Sequence, residues 1–176
     1  MPPFDSYLAR LGDDPMQVIH DGVIGRDAVI DGPFGPRRMI YADYIASGRA
    51  LRPIEDWVME NVLPWYANSH TEASHCGGIM TRMRRAAREV IGFCTHAGAE
   101  HAVIFTGSGA TQAINRLVDL LGAGPGATVL IGPYEHHSNI LPWRESGAEV
   151  VTIPEAATGG PDLAALRAAL DRAEGP

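Results

Sequence analysis

Two glycines with hydroxyl residues around them form the first stretch of the chain whose residue types suit a chemical role. The apolar run Ala102-Val103-Ile104-Phe105 is followed by Thr106-Gly107-Ser108-Gly109-Ala110-Thr111, and a helical pattern continues to Asn115. This order predicts a strand, a glycine turn and a helix. A helix N-terminus carries unpaired backbone N–H groups and the positive end of the helix dipole, which together attract phosphate. The stretch therefore indicates a phosphate-binding turn, while an ordinary strand-to-helix turn capped by Ser108 explains the same spacing.

The residues of this turn do not match the common phosphate or nucleophile motifs. No Lys follows the glycines as a P-loop requires, and Gln112 stands where a dinucleotide-binding fingerprint has its third glycine. Gly107-Ser108-Gly109 also lacks the spacing of a nucleophile elbow. These three classes of site are set aside.

A second stretch with chemical potential follows the next apolar run. Ala127-Thr128-Val129-Leu130-Ile131 predicts a strand, and Gly132-Pro133-Tyr134-Glu135-His136-His137-Ser138-Asn139 comes directly after it. The end of this strand thus delivers two imidazoles, a carboxylate and two small polar side chains. The two stretches together are the best candidates for a functional site.

Taken together, Phe105–Asn115 and Glu135–Trp143 resemble the class V aminotransferase and cysteine desulfurase family of pyridoxal-phosphate enzymes. In that family a turn of the Gly-Thr-Thr type binds the cofactor phosphate, which the resemblance transfers to Gly109, Ala110 and Thr111. The first His of the His-His-Ser-Asn run stacks on the pyridine ring, which transfers to His136. Ala110 stands where a second Thr is common, so the resemblance implies one hydroxyl contact fewer. The implied cofactor is pyridoxal 5'-phosphate.

Two further segments fit the same resemblance. Met39–Gly48 is similar to the family's opening segment near the substrate entrance, with Tyr44-Ile45 where Asn-Ala is frequent. The polar stretch Asn68–Gly78 is expected as a loop near the substrate and the partner subunit. Its His70, His75 and Cys76 also allow a metal site, but two His residues five positions apart in a loop are unspecific, and no metal is assigned.

The fold class expected from the resemblance is α/β, an incomplete large domain of a fold type I pyridoxal-phosphate transferase. Residues 1–38 are expected to form an N-terminal segment and residues 39–176 the N-terminal part of that domain. The pattern alone predicts a three-stranded parallel sheet, whereas the resemblance places the first strand apart from the second and third. The remaining strands, the Asp that pairs with the pyridine nitrogen and the Schiff-base Lys are expected after Pro176.

The basic residues of the chain are all Arg, because its 176 residues contain no Lys. Covalent attachment of the cofactor through a lysine is therefore impossible within these residues, and no catalytic residue is assigned. We expect transamination or cysteine desulfuration of an amino-acid substrate as the parent reaction of a family homodimer, with this chain inactive by itself. The alternative is a non-catalytic fragment or an anion-binding interaction module.

Composition supports a folded protein and excludes several classes. A hydrophobic content of 45% is enough for a core, and the net charge of −7 argues against nucleic acid or an anionic membrane as a partner. No apolar run is long enough to span a bilayer, and the N-terminus lacks the features of a secretory signal. Cys76 and Cys94 do not indicate a disulfide framework. The expected location is cytoplasmic.

Periodicity predicts the other elements. A short amphipathic helix is expected over residues 4–11, a strand pair from Val23–Ile30 and Arg38–Tyr41, and a packing helix from Pro53 that carries Trp57 on its apolar face. Further predictions are a helix with an apolar stripe from Met80 to Cys94 opposite Arg82, Arg84 and Arg85, a strand over Glu149–Ile153, and a helix from Leu163 capped by Asp162.

Overall fold

The computed structural model describes residues 3–173, and the chain divides between Val103 and Ile104 into two compact units. The boundary that the sequence predicts after residue 38 stays a prediction, because it concerns family domains rather than compact units. Within its described residues the first unit contains, in chain order, α1 (Asp5–Arg10), α2 (Pro15–Asp21), β1 (Val29–Gly32), β2 (Gly35–Arg38), α3 (Arg52–Asn61), a 3-10 turn (Leu63–Trp65) and α4 (His75–Cys94).

The first unit has a small core around Trp57 of α3. The Trp57 side chain is buried and lies against the rings of Phe4 and Tyr7, with centroids 5.8 and 6.3 Å away. Its indole N–H donates a hydrogen bond of 2.9 Å to the hydroxyl of Ser6, so the polar atom of the buried ring is satisfied. The predicted helices near residues 4–11 and after Pro53 are confirmed, and Pro53 is the second residue of α3 rather than the first.

The predicted strand pair forms a hairpin, but its strands lie closer to the turn than expected, so β1 shares only Val29 and Ile30 with the prediction and β2 only Arg38. β1 and β2 pair antiparallel, with Val29 opposite Arg38 and Gly32 opposite Gly35 across a two-residue connection. The prediction ended the first strand at Ile30 and began the second at Arg38, which left both glycines in the connection. It was wrong there because Gly35, with φ +79°, reverses the chain early enough for the ladder to include both glycines.

α4 begins earlier than the sequence indicates. Ser74 caps it by accepting a hydrogen bond of 3.1 Å from the backbone N–H of Gly77, so residues 75–78 are helical and the predicted loop ends at Ser74. Met80 is buried and Arg82, Arg84 and Arg85 are exposed, as the stripe predicts. The C-terminal part of the stripe is not buried, because Val90, Ile91 and Cys94 are exposed. α4 is the longest helix described, and among residues 3–173 no helix combines the length and apolar character needed to cross a membrane.

The second unit alternates helices with two strands. Its described elements are α5 (Gly109–Leu121), β3 (Thr128–Ile131), a 3-10 turn (His137–Asn139), α6 (Leu141–Glu145), β4 (Glu149–Thr152) and α7 (Leu163–Arg172). β3 and β4 pair in parallel, with Thr128 opposite Glu149 and Ile131 opposite Thr152. The buried side chains of this unit come from both strand ends and the helices around them: Val118, Ile131, Pro142, Trp143, Ala148, Ile153 and Ala169.

The strand predicted for residues 102–105 does not form. Residues 101–106 belong to no helix or strand, and the parallel sheet contains β3 and β4 alone within the described chain. The three-stranded sheet that the pattern predicts is therefore wrong. An apolar run becomes a strand only when a neighbouring strand completes its hydrogen-bond ladder, and neither β3 nor β4 does so here.

The cap of α7 provides a direct test of the local sequence analysis. Asp162 accepts hydrogen bonds of 2.9 and 3.0 Å from the backbone N–H groups of Ala164 and Ala165. We expect Asp162→Ala to lower the free energy of unfolding by about 1 kcal/mol, because two N–H groups lose their acceptor. Urea titration followed by circular dichroism measures the change. Asp162→Asn is the matched control and should stay close to the parent chain, and equal losses in both variants would contradict a capping role.

Candidate functional site

The turn before α5 has the open backbone that an anion site needs. Gly107 and Gly109 have φ of +86° and +75°, in the region where residues with a Cβ are strained. No heavy atom lies within 4 Å of a Cβ placed on either glycine. The backbone of this turn therefore faces free space in which a ligand could approach it closely.

The donors of the turn are distributed differently from the expectation. The N–H of Gly109 donates to the carbonyl of Gly107 at 2.5 Å and is occupied within the turn. Ser108 is the N-cap residue of α5, but its side chain makes no capping hydrogen bond to the described chain. The N–H groups of Ala110 and Thr111 lie in the first helical turn, where α5 itself supplies no acceptor. These two groups, with the exposed side chain of Thr111, are the ones that can bind an anion.

His136 follows β3 and precedes the 3-10 turn, and its ring is held by that turn. Its Nδ1 accepts a hydrogen bond of 3.2 Å from the backbone N–H of Ser138 and lies 2.9 Å from the Ser138 hydroxyl. Because Nδ1 is an acceptor, a neutral ring carries its proton on Nε2. The residue is exposed. A restrained, exposed aromatic ring is what a stacking role needs, and Ser138 is the residue that orients it.

His137 is placed differently although it is the next residue. It begins the 3-10 turn, it is exposed, and its ring centroid is 6.1 Å from that of His136 at an interplanar angle of 76°. The two rings meet edge to face, so they present faces in different directions. A flat ligand stacked on His136 therefore does not stack on His137 at the same time.

A chain of hydrogen bonds anchors the turn to the core. The side-chain Nδ2 of Asn139 donates to a carboxylate oxygen of Glu135 at 2.7 Å. The indole N–H of Trp143 donates to the side-chain Oδ1 of Asn139 at 3.3 Å. Trp143 lies in α6 and is buried. Sequence analysis counted Glu135 and Asn139 among polar groups for a ligand and missed this structural role. The i, i+4 spacing of Glu135, Asn139 and Trp143 is the signal that could have indicated it.

The structure brings the two predicted halves of the site into one neighbourhood. α5, which starts at the glycine turn, contacts both the 3-10 turn that follows His136 and α6. The predicted residues Gly109, Ala110, Thr111 and His136 thus belong to elements that pack on each other within the second unit. Their assignment to a cofactor stays a prediction.

The predicted alternative of a metal site has no geometric support in the described part of the chain. Residues 3–173 contain no group of three His, Cys, Asp or Glu side chains arranged to hold a metal ion. His75 and Cys76 lie in the first turn of α4, and the His75 ring instead packs edge to face on Trp65 at 5.4 Å.

Comparison with known proteins identifies the family. The model of the aminotransferase class-V family matches residues 40–174. The chain is 29% identical over 140 residues to proteins named cysteine desulfurase from Yersinia pestis (strain Pestoides F) and Yersinia pseudotuberculosis serotype O:3 (strain YPIII). A cysteine desulfurase from Yersinia pestis bv. Antiqua (strain Angola) is 28% identical. These alignments cover 76% of this chain and 34% of each relative.

The mixed helices and strands and the match over residues 40–174 are consistent with part of an α/β fold of the pyridoxal-phosphate transferase type. The chain belongs to the class V aminotransferase family, which depends on pyridoxal phosphate. The chain spans about a third of the length of the curated relatives that it matches. The resemblance stated from the sequence is confirmed.

The residues of the second unit have the chemistry to match the phosphate and one face of the ring of that cofactor. A phosphate dianion matches the free N–H groups of Ala110 and Thr111 at the positive end of a 13-residue helix. The open space at Gly109 would be filled by a Cβ there. The exposed ring of His136 matches a flat heteroaromatic ring.

The hydrogen-bonded chain below His136 can be tested by removing its central member. Asn139→Ala leaves the Glu135 carboxylate and the Trp143 indole without their shared partner, so we expect the free energy of unfolding to fall by about 1–3 kcal/mol. Asn115→Ala is the matched control, because within residues 3–173 the Asn115 amide makes a hydrogen bond only to the carbonyl of Thr111, on the exposed side of α5. It should change stability by less than about 0.5 kcal/mol. Urea titrations that give equal losses would refute the anchoring role.

Proposed function

We propose that the second unit holds the phosphate and one face of the pyridine ring of pyridoxal 5'-phosphate in an enzyme that acts on an amino-acid substrate. The observation that carries the proposal is the open glycine turn at the start of α5, with α5 packed on the turn that orients His136. The match of the class V family over the same residues supports it.

The phosphate would be held by backbone groups rather than by charged side chains. The N–H groups of Ala110 and Thr111 and the hydroxyl of Thr111 are the donors that we assign to it. Gly109 contributes by lacking a side chain, because its own N–H is bonded to Gly107. We prefer this place to the Arg cluster of α4, because exposed Arg side chains must lose rotamer freedom to hold an anion.

His136 would provide a flat surface for the pyridine ring. Ser138 restrains its imidazole through Nδ1, so little rotational freedom remains to be lost when a ligand stacks on it. The hydrogen bonds that link Glu135, Asn139 and Trp143 hold the turn against the buried part of the unit. These residues bind and orient, and none of them is assigned a proton transfer.

The proposed parent reaction is transamination or cysteine desulfuration. When bound, the cofactor supplies an electron sink for the substrate carbon that carries the amino group. Cysteine desulfuration is the preferred reaction, because the similar proteins from Yersinia are named cysteine desulfurases. A homodimer and a cytoplasmic location complete the proposal.

The absence of lysine limits what these residues can do by themselves. Covalent attachment of the cofactor needs an ε-amine, and none of the 176 residues supplies one. We propose that residues 39–176 are the N-terminal part of the large domain and are inactive alone. The same fact favours a second candidate, an anion-binding module without catalysis, which would bind inorganic phosphate as well as a phosphorylated ring.

Blocking the glycine turn tests the phosphate site. Pyridoxine 5'-phosphate is the probe, because it has no aldehyde that could react with the terminal amine. We expect Gly109→Val to weaken binding of this probe and of inorganic phosphate by about tenfold or more in calorimetry, because a side chain enters the open space. Gly126→Val is the matched control, since Gly126 also has positive φ and an open Cβ position. Unchanged phosphate affinity in Gly109→Val would disprove the site.

Truncating His136 distinguishes binding of the pyridine ring from binding of the phosphate. His136→Ala should weaken pyridoxine 5'-phosphate about fivefold, since stacking contributes on the order of 1 kcal/mol. It should leave inorganic phosphate unchanged, and His137→Ala should weaken pyridoxine 5'-phosphate less than His136→Ala does. Equal losses in the two variants would overturn the assignment of His136, and equal affinity of the parent chain for both probes would favour the non-catalytic module.

A further inference from the structure

A cleft in the first unit collects cationic and aromatic side chains that the proposed cofactor site does not use. It has a volume of about 510 Å³, and the residues that define its chemistry are His20, Arg26, Arg38, Tyr41, Tyr44 and Arg49. Val23, Met39 and Ile40 add apolar wall. The cleft thus combines positive charge with a mainly apolar and aromatic surface.

Two of the three guanidinium groups already have carboxylate partners. Arg26 pairs with Asp21 at 2.7 Å, and Arg38 pairs with Asp27 at 2.7 Å. The pKa of Asp21 lies below its usual value, because the Gln17 side chain and then Arg26 donate hydrogen bonds to its carboxylate. The positive charges of Arg26 and Arg38 are therefore each compensated by a carboxylate.

Arg49 is held without a carboxylate. Its Nη2 donates a hydrogen bond of 2.9 Å to the carbonyl of Ile24, and its guanidinium carbon lies 5.0 Å from the centroid of the Tyr41 ring. No carboxylate within residues 3–173 forms an ion pair with it. The cleft consequently contains one oriented cation whose charge is not compensated.

The surroundings of Arg49 keep its guanidinium in place. Gly25 has φ of +80°, and a Cβ there would collide with Nη2 of Arg49. The Tyr41 hydroxyl donates to the carbonyl of Ser47 at 2.6 Å, and the Tyr44 ring packs on Tyr41 edge to face at 5.1 Å. A cation fixed by a carbonyl, an aromatic ring and a glycine loses little freedom when it binds an anion.

We propose that this cleft binds a small organic carboxylate with a flat apolar body, through Arg49 and the rings beside it. The planar guanidinium suits a carboxylate, which can accept two of its N–H groups at once. The half-exposed Tyr44 ring and the apolar wall suit the body of such a ligand better than the hydration shell of inorganic phosphate. The proposal rests on the first unit alone and does not depend on the cofactor site.

Calorimetric titration of the purified chain with benzoate tests the proposal at low ionic strength. We expect saturable binding of benzoate and none of benzylammonium, which has the same ring and the opposite charge. Arg49→Gln should weaken benzoate at least tenfold. Arg37→Gln is the matched control, because Arg37 is exposed on β2 outside the cleft lining, and it should stay within twofold of the parent chain.

Two more variants keep the positive charge. Gly25→Ala should weaken benzoate by displacing the guanidinium, and Tyr44→Ala should weaken benzoate about fivefold while leaving acetate unchanged. If circular dichroism shows that Arg49→Gln or Gly25→Ala is unfolded, the test rests on Tyr44→Ala. Weaker binding of benzoate with unchanged acetate then supports the proposal, and unchanged benzoate contradicts it. Absence of saturable benzoate binding or an equal loss in Arg37→Gln would each overturn the proposal.

Discussion

The parallel pairing of β3 with β4 is the constraint on which the second unit depends. It sets the direction in which the chain leaves β3 at Ile131 and fixes how α6 must cross back to Glu149. Trp143 of α6 is thereby buried, and its indole N–H reaches Asn139. Through Asn139 and Glu135 the same pairing holds the turn that orients His136. The pairing of β3 with β4 thus supports the exposed ring of His136 through Trp143, Asn139 and Glu135.

Glycine has a comparable role in each unit, because it lets another group come close to the backbone. Gly109 leaves open space in front of the first turn of α5, where an added Cβ would meet no neighbour. At Gly25 the space is already taken, because a Cβ added there would collide with the guanidinium of Arg49. One glycine therefore leaves room for a ligand, and the other allows a side chain to be fixed for one.

Hydrogen bonds carry much of the local order because the cores are small. The described second unit buries few side chains, while large apolar residues such as Ile104, Leu120 and Leu121 are exposed. Under these conditions an unsatisfied polar group is costly relative to the total stability. The capping bonds of Asp162 and the bonds of Asn139 place the helices and turns that the apolar contacts alone would leave loosely defined.

The sequence by itself determined the elements that depend on neighbouring residues. The cap at Asp162, the strands near residues 128 and 149 and the glycine turn before α5 follow from local pattern, and two motifs together identified the family. Only the tertiary structure decided whether Ala102–Phe105 forms a strand and where Arg49 lies. The reason is physical: a strand needs a partner, and the hydrogen bond of Arg49 to the carbonyl of Ile24 joins residues that only folding brings together.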